Sequence, residues 1–428
     1  MRNFVGTTAG EIGARNLNKP GTVLDVEFVR AQFPATGPLA FFENAGGTFV
    51  PQTVIDKVRA YMTETQVQPG GEFAPSVKAA KRMRESHRLM AEMLNAAPEE
   101  VMVGISTSMN VYLLAQAIRH WFTPGDEIVI TNLDHEANNG AWRRLSEFGV
   151  EIREWRVNPD TADLHLEDLD ELLNDRTRLV CVSQCSNITG SINDVAEIAR
   201  RVHDADALIC VDAVAYAPHR KLDVKALDVD FYLISLYKLY GPHVSILYGK
   251  RELLLKAKRQ HHFFIRDDDI PLKLNPGGPN HEFTASLSGI IDYFDAIHAH
   301  HFSGSNAALH ERMCECFNLI AAHEEKLAKP LVDFLDSKPG VRIVGRATAD
   351  RDARVPTFSF VVNNRNSNDF PKHLAGYDIG VRAGHFYAKR LIDALELEKN
   401  NGVVRASMVH YNTSEEVERL IRHLDEVI

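Results

Sequence analysis

"FYLISLYKLYGPHVSILYG", residues 231–249, sets two apolar, β-rich runs on either side of a lysine and a Gly-Pro break. FYLISLY (231–237) and VSILYG (244–249) have the length and composition of buried strands. Lys238 leaves the first of them. A lysine at a strand end ordinarily snorkels to water, and one that stays buried is paired or reactive. The rest of the chain has to decide between these readings.

Working outward, VMVGI (101–105), EIVITNL (127–133), RLVCVSQ (178–184) and ALICVD (207–212) are further runs of the same kind, alternating with longer helical patterns. Continuous apolar strands between helices predict an α/β architecture with a mostly parallel sheet covered on both faces. From about residue 300 the pattern changes. A long helical stretch, HERMCECFNLIAAHEEKLAKPLVDFL (310–335), leads to TFSFVVN (357–363), IGVRAG (379–384) and VVRASM (403–408), the mixture of a smaller α+β domain. No internal repeat or low-complexity linker separates the two.

Composition narrows the function classes. The chain has 428 residues, 45% of them apolar and 25% charged, and a net charge of −10. That balance lacks the basic footprint of a nucleic-acid or anionic-lipid binder. No run approaches the length of a membrane span, and MRNFVGTTAGEIGARN lacks the apolar core of a secretory signal. The five cysteines (Cys181, Cys185, Cys210, Cys314 and Cys316) are too few and too scattered for a disulfide framework; they predict packed, reduced thiols and a cytoplasmic protein. The histidine clusters HH (261–262) and HAHH (298–301) lack convincing ligand spacing, so no metal site is expected.

In parallel sheets, ligands bind beyond the carboxyl ends of the strands. After VMVGI come Ser106, Thr107 and Ser108 at the start of a helical stretch, an arrangement that caps a helix and also binds anions. After EIVITNL comes His135, and after RLVCVSQ comes Asn187. Asp212 ends an otherwise apolar strand and needs a partner, because an unpaired buried charge is very costly. Lys238 follows the next strand. A phosphate cradle, an imidazole, an amide, a carboxylate and a lysine make the set that pyridoxal phosphate requires. There is no GxGxxG or GxxxxGK[ST], so dinucleotide and P-loop readings have no support.

The stretch VDAVAYAPHRKLDVKALDVDFYLISLYKLYGPHVSILYGK (211–250) resembles the class V aminotransferases, in particular the cysteine desulfurase and selenocysteine lyase group. FFENAGGTFVPQTVI (41–55), DHEANNGAW (134–142), VRAGHFY (381–387) and GVVRASMVHYNTSEEVERL (402–420) extend the resemblance over nearly the whole chain. It implies the type I pyridoxal-phosphate fold: a large domain with a mostly parallel seven-stranded sheet (39–300), a small α+β domain (301–428), and an N-terminal segment (1–38) packing on the small domain. It also implies a homodimer with active sites at the interface. Carried over, Lys238 is the Schiff-base lysine, Asp212 the partner of the ring nitrogen, and His135 the residue stacked on the ring. Asn187 reaches the ring hydroxyl, and Ser106, Thr107 and Ser235 contact the phosphate. Arg405 grips the substrate carboxylate, with Arg382, Asn44 and Tyr387 completing the substrate pocket.

The departures are as informative. In part of the group a mobile cysteine lies five residues after the first C-terminal arginine; here that position is Tyr387, and no cysteine follows Cys316. Ala215 replaces the family glutamine, Tyr237 the histidine before the lysine, and Gly278 the threonine of an interface motif, here GGPNHE (277–282). The expected reaction is therefore β-elimination from an amino acid without persulfide chemistry. Transamination or epimerisation through the same groups is the alternative, and a non-catalytic homologue is a distant third.

Overall fold

In the computed structural model, residues 23–428 are described. Most of the segment 1–38 lies outside them. Its described part touches both halves of the protein. Arg30 pairs with Glu416 at 2.9 Å, while the Phe33 ring packs 5.0 Å from Tyr293 and 4.9 Å from Tyr411.

The strands are β1 (Ala40–Phe41), β2 (Val101–Gly104), β3 (Glu127–Thr131), β4 (Glu151–Trp155), β5 (Thr177–Ser183), β6 (Leu208–Asp212), β7 (Phe231–Ser235), β8 (Ser245–Gly249), β9 (Val341–Val344), β10 (Thr357–Val362), β11 (Ile379–Gly380), β12 (Arg382–Gly384) and β13 (Val403–Ser407). Seven of them form the large sheet in the order β2-β8-β7-β6-β5-β3-β4, with β8 antiparallel to both neighbours and the other pairs parallel. Because β8 reverses the direction on both sides, β2 points the same way as β7. The carboxyl ends of β2, β3, β5, β6 and β7 therefore share one edge, which gathers the polar residues that follow them.

Helices on both faces bury all but Arg178 and part of Leu208 in the central strands, which explains their apolar runs. The edge strand β4, EIREW, is only partly covered and pairs Arg153 with Glu127 at 3.0 Å, so it does not stand out as a strand in the sequence. β7 ends earlier than FYLISLY suggests. The chain tightens into a 3₁₀ turn, Leu236–Lys238, because it must leave the sheet to aim the lysine. Gly241 completes the exit, where a Cβ would sit 3.0 Å from the Leu236 carbonyl oxygen.

The second sheet, β12-β13-β10-β9, is antiparallel throughout. The helix Leu309–Ser337 joins the two cores. Met313, Phe317 and Ile320 pack under the large sheet, and Leu327, Leu331 and Leu335 under the small one. The histidines of HAHH are engaged locally: His298 with Glu315, His300 with Asp25, and His301 with the Asp25 amide. Among the described residues no helix is long and apolar enough to cross a membrane.

Candidate active site

Ser106, Thr107, His135, Asn187, Asp212, Ser235 and Lys238 line one cleft at the shared strand edge. Ser106 caps the helix Thr107–Ile118, its Oγ accepting from the Met109 amide at 3.2 Å. The Thr107 hydroxyl shares hydrogen bonds with Ser235 (2.7 Å) and Ser245 (2.8 Å), which pins the start of this helix to β7 and β8. The first turn of a helix, rimmed by hydroxyls and carrying free amides, suits a phosphate.

Lys238 is buried, and its amine is pulled down to about 8, first by loss of hydration and then by the Arg405 charge; Asp212 and Glu43 oppose the shift. About one molecule in ten then carries the neutral amine at pH 7. Burial pushes the Asp212 carboxyl up, against a hydrogen bond from the Val214 amide (2.9 Å) and the Lys238 charge. A buried carboxylate with capacity to spare, facing a cleft, fits a protonated ring nitrogen. His135 accepts from the Ala137 amide through Nδ1, and burial lowers its pKa to about 3. The imidazole is thus neutral.

A second carboxylate, Asp134, organises this edge and was not singled out from the sequence. Its Oδ1 accepts from Thr131 Oγ1 (2.7 Å) and from the Ser183 amide (3.0 Å) and hydroxyl (2.8 Å), while Oδ2 accepts from Asn138 Nδ2 (2.7 Å). Loss of hydration, aided by Asp212, nevertheless raises it to about 6. Asp134→Asn would set an amide donor against one of these donors. We expect a loss of about 1–3 kcal/mol in urea unfolding for the group left unpaired; an unchanged midpoint would mean that the network relaxes freely.

Not every expected contact is made by the expected group. Asn44 Nδ2 donates to the Phe41 and Ser407 carbonyls, both at 2.9 Å, and its Oδ1 accepts from Tyr411. It fastens its loop to β13, and the neighbouring Glu43 is the residue that enters the site. Arg405 is fully buried. Its Nη2 donates to Glu43 Oε1 (2.7 Å), its Nη1 to the Asn187 carbonyl (3.0 Å), and its guanidinium lies 3.7 Å from the centre of the Phe386 ring. Arg382, its cross-strand partner on β12, is exposed.

Tyr387 is 69% exposed, and its ring is 5.3 Å from that of His135. Phe386 and Tyr387 both adopt positive φ, 48° and 61°, which is costly for aromatic residues and is held by bonds from the main body of the site. Asn187 Nδ2 donates to the Phe386 carbonyl (3.0 Å), and the Glu136 amide to the Tyr387 carbonyl (2.8 Å). Tyr237 stacks on His243, and it borders the cleft together with Ala215. Cys185 also lines the cleft instead of a remote core, but burial pushes its thiol up to about 12.

The family model described as "Aminotransferase class-V" matches residues 40–420. Among curated proteins, the chain is 37% identical over 412 residues to an aminotransferase-like protein, FGM3, of Gibberella zeae, covering 94% of this chain and 98% of that one. It is 34% identical over 418 residues to a cysteine desulfurase-like protein, ustD, of Aspergillus flavus, covering 95% and 91%. Among solved structures, the apo cysteine desulfurase of Thermococcus onnurineus NA1 superposes with a TM-score of 0.83 at 26% identity, covering 94% of this chain and 98% of the other. A buried lysine with a lowered pKa beside a buried carboxylate, in a fold and sequence shared this fully, makes the chain a pyridoxal-phosphate-dependent enzyme of the class V aminotransferase family.

Proposed function

We propose that this enzyme eliminates a β substituent from an amino acid by a cysteine desulfurase-like C–S lyase reaction that forms no enzyme persulfide. The observation that carries the reading is the pairing of a depressed Lys238 amine and Asp212 in one cleft with a tyrosine, not a cysteine, on the loop beside His135. Bound pyridoxal phosphate supplies an electron sink for charge developing at the substrate Cα. The residues do the rest. The helix at Thr107 and the hydroxyls of Ser106 and Ser235 hold the phosphate, Asp212 keeps the ring nitrogen protonated, and His135 covers the ring. Lys238 would hold the aldehyde carbon until the substrate's amine displaces it, and its freed amine would then take the Cα proton. The β substituent would depart with its bonding electrons, and the enamine, released as the Lys238 amine regains its place, would take up water to give a 2-oxo acid and ammonia.

The desulfurase-like name of one relative supports elimination, and the aminotransferase-like name of another supports transamination through the same groups. Incubation with a panel of amino acids, with and without an added 2-oxo acid, decides between them: elimination releases an oxo acid, ammonia and the leaving group, whereas transamination needs the added 2-oxo acid, converts it to an amino acid and releases no ammonia. We further propose a cytoplasmic homodimer, with the loop at Gly278 facing the partner's site. Gly278 sits at φ 81°, where a threonine would be strained.

Replacing all five cysteines with Ser or Ala is expected to leave turnover largely intact in the folded protein. Cys181, Cys185 and Cys316 are buried with raised pKa values, and a thiolate must be exposed and activated to attack. A substrate-dependent gain of one sulfur on any of them in mass spectra would restore the desulfurase reading.

A further inference from the structure

Arg405 is the buried cation of the site, and its partners are already in place. Nη2 is taken by Glu43 and Nη1 by the Asn187 carbonyl, while Nε has no partner among the described residues. A guanidinium grips a carboxylate best through two parallel N–H bonds from one edge. Both forked edges of the guanidinium share Nη2, the nitrogen that already holds Glu43, so a substrate carboxylate that grips Arg405 through two bonds meets the Glu43 charge there.

Glu43 has a seat built for it. A Cβ on Gly46 would fall 1.8 Å from Glu43 Oε2, so the carboxylate occupies a niche that exists because residue 46 has no side chain. It also has somewhere to go. Arg382 Nη1 is 3.8 Å from Glu43 Oε1, and Arg382 is exposed and faces Arg405 across the β12–β13 ladder. A carboxylate poised between two arginines can leave one for the other with little movement.

We propose that Glu43 is a resident counter-ion of the carboxylate site: it holds Arg405 until an amino acid exchanges it towards Arg382, and it thereby excludes carboxylates that lack an amine. An amino acid has a second attachment, through its amine at the cofactor, with which to win the exchange. A simple carboxylate has only the ion pair, and must compete with one already formed. The proposal rests on Arg405 being the substrate clamp.

The test is calorimetric titration of the holoenzyme with sodium propionate, which has a carboxylate and no amine. In the wild type binding is expected to be weak. Glu43→Gln removes the competing charge and should tighten propionate by about tenfold, equivalent to about 1.4 kcal/mol. Gly46→Ala keeps the charge but fills its niche with a methyl group, and should tighten propionate in the same direction. Should Glu43→Gln fail to fold, Gly46→Ala alone decides. Adding Arg405→Ala to either variant should abolish the gain. A gain that survives this addition means that Arg405 is not the clamp, which is a distinct failure from the cofactor reading. If neither Glu43→Gln nor Gly46→Ala tightens propionate, or if both weaken it, Glu43 merely positions Arg405 and the proposal is overturned.

Discussion

Lys238→Ala is expected to lower turnover by at least about 10³-fold, since we assign it as the proton carrier and a positioned acid–base group alone contributes about 10²–10⁴-fold. It also removes the covalent anchor, so borohydride reduction of the wild type should fix the cofactor to the peptide containing Lys238 and to no other. Lys238→Arg separates chemistry from charge. Arginine preserves the positive charge beside Asp212 but does not deprotonate in proteins, so it should not rescue turnover. The pH dependence follows from the amine being pulled down to about 8. Below that pH the amine is protonated and cannot attack; above it the neutral form predominates. The rate at which added cofactor is taken up by the apoprotein should therefore rise with pH and level off above about 8. Modification of a different lysine on peptide mapping would sink the assignment.

Asp212→Asn should separate binding from chemistry. The asparagine oxygen can still accept from the Val214 amide, so the loop and the bound cofactor should persist. The ring nitrogen would lose a buried anionic partner. Such a partner shifts a pKa by about 1–3 units, and each unit is a factor of ten. Turnover should fall by up to about 10³-fold while the absorbance of bound cofactor remains. Near-normal turnover would assign the role to another group, and Asp134 is the carboxylate to examine next, since its charge acts on Asp212 from the end of β3, across β5.

The mostly parallel character of the large sheet was legible in the sequence because its inner strands are buried on both faces and leave a simple apolar signature, whereas the strand order and the reversed β8 were not. Where burial is one-sided the signature fades. β4 offers EIREW with only Trp155 buried, and β9 offers VRIV with only Val344 buried, and neither stood out. Ser106, His135, Asn187, Asp212 and Lys238 line one cleft for a related reason: Asp212 ends a strand and the others lie two to four residues beyond one, so a common sheet edge brings them together.

Local pattern was enough to show buried strands alternating with helices and polar groups after them, and the family resemblance supplied the specific fold. Which strands pair, in which direction, and which charges meet depends on chain segments far apart in sequence. Glu43 and Arg405 are 362 positions apart, and the contact depends on Asn44 tying its loop to β13. The Phe386–Tyr387 loop owes its strained backbone to anchors at Asn187 and Glu136, supplied by distant strand ends. Periodicity records which side of an element is buried. It carries no record of which partner lies there, because the same buried arginine satisfies the pattern whether a glutamate of its own chain or the carboxylate of a substrate holds it.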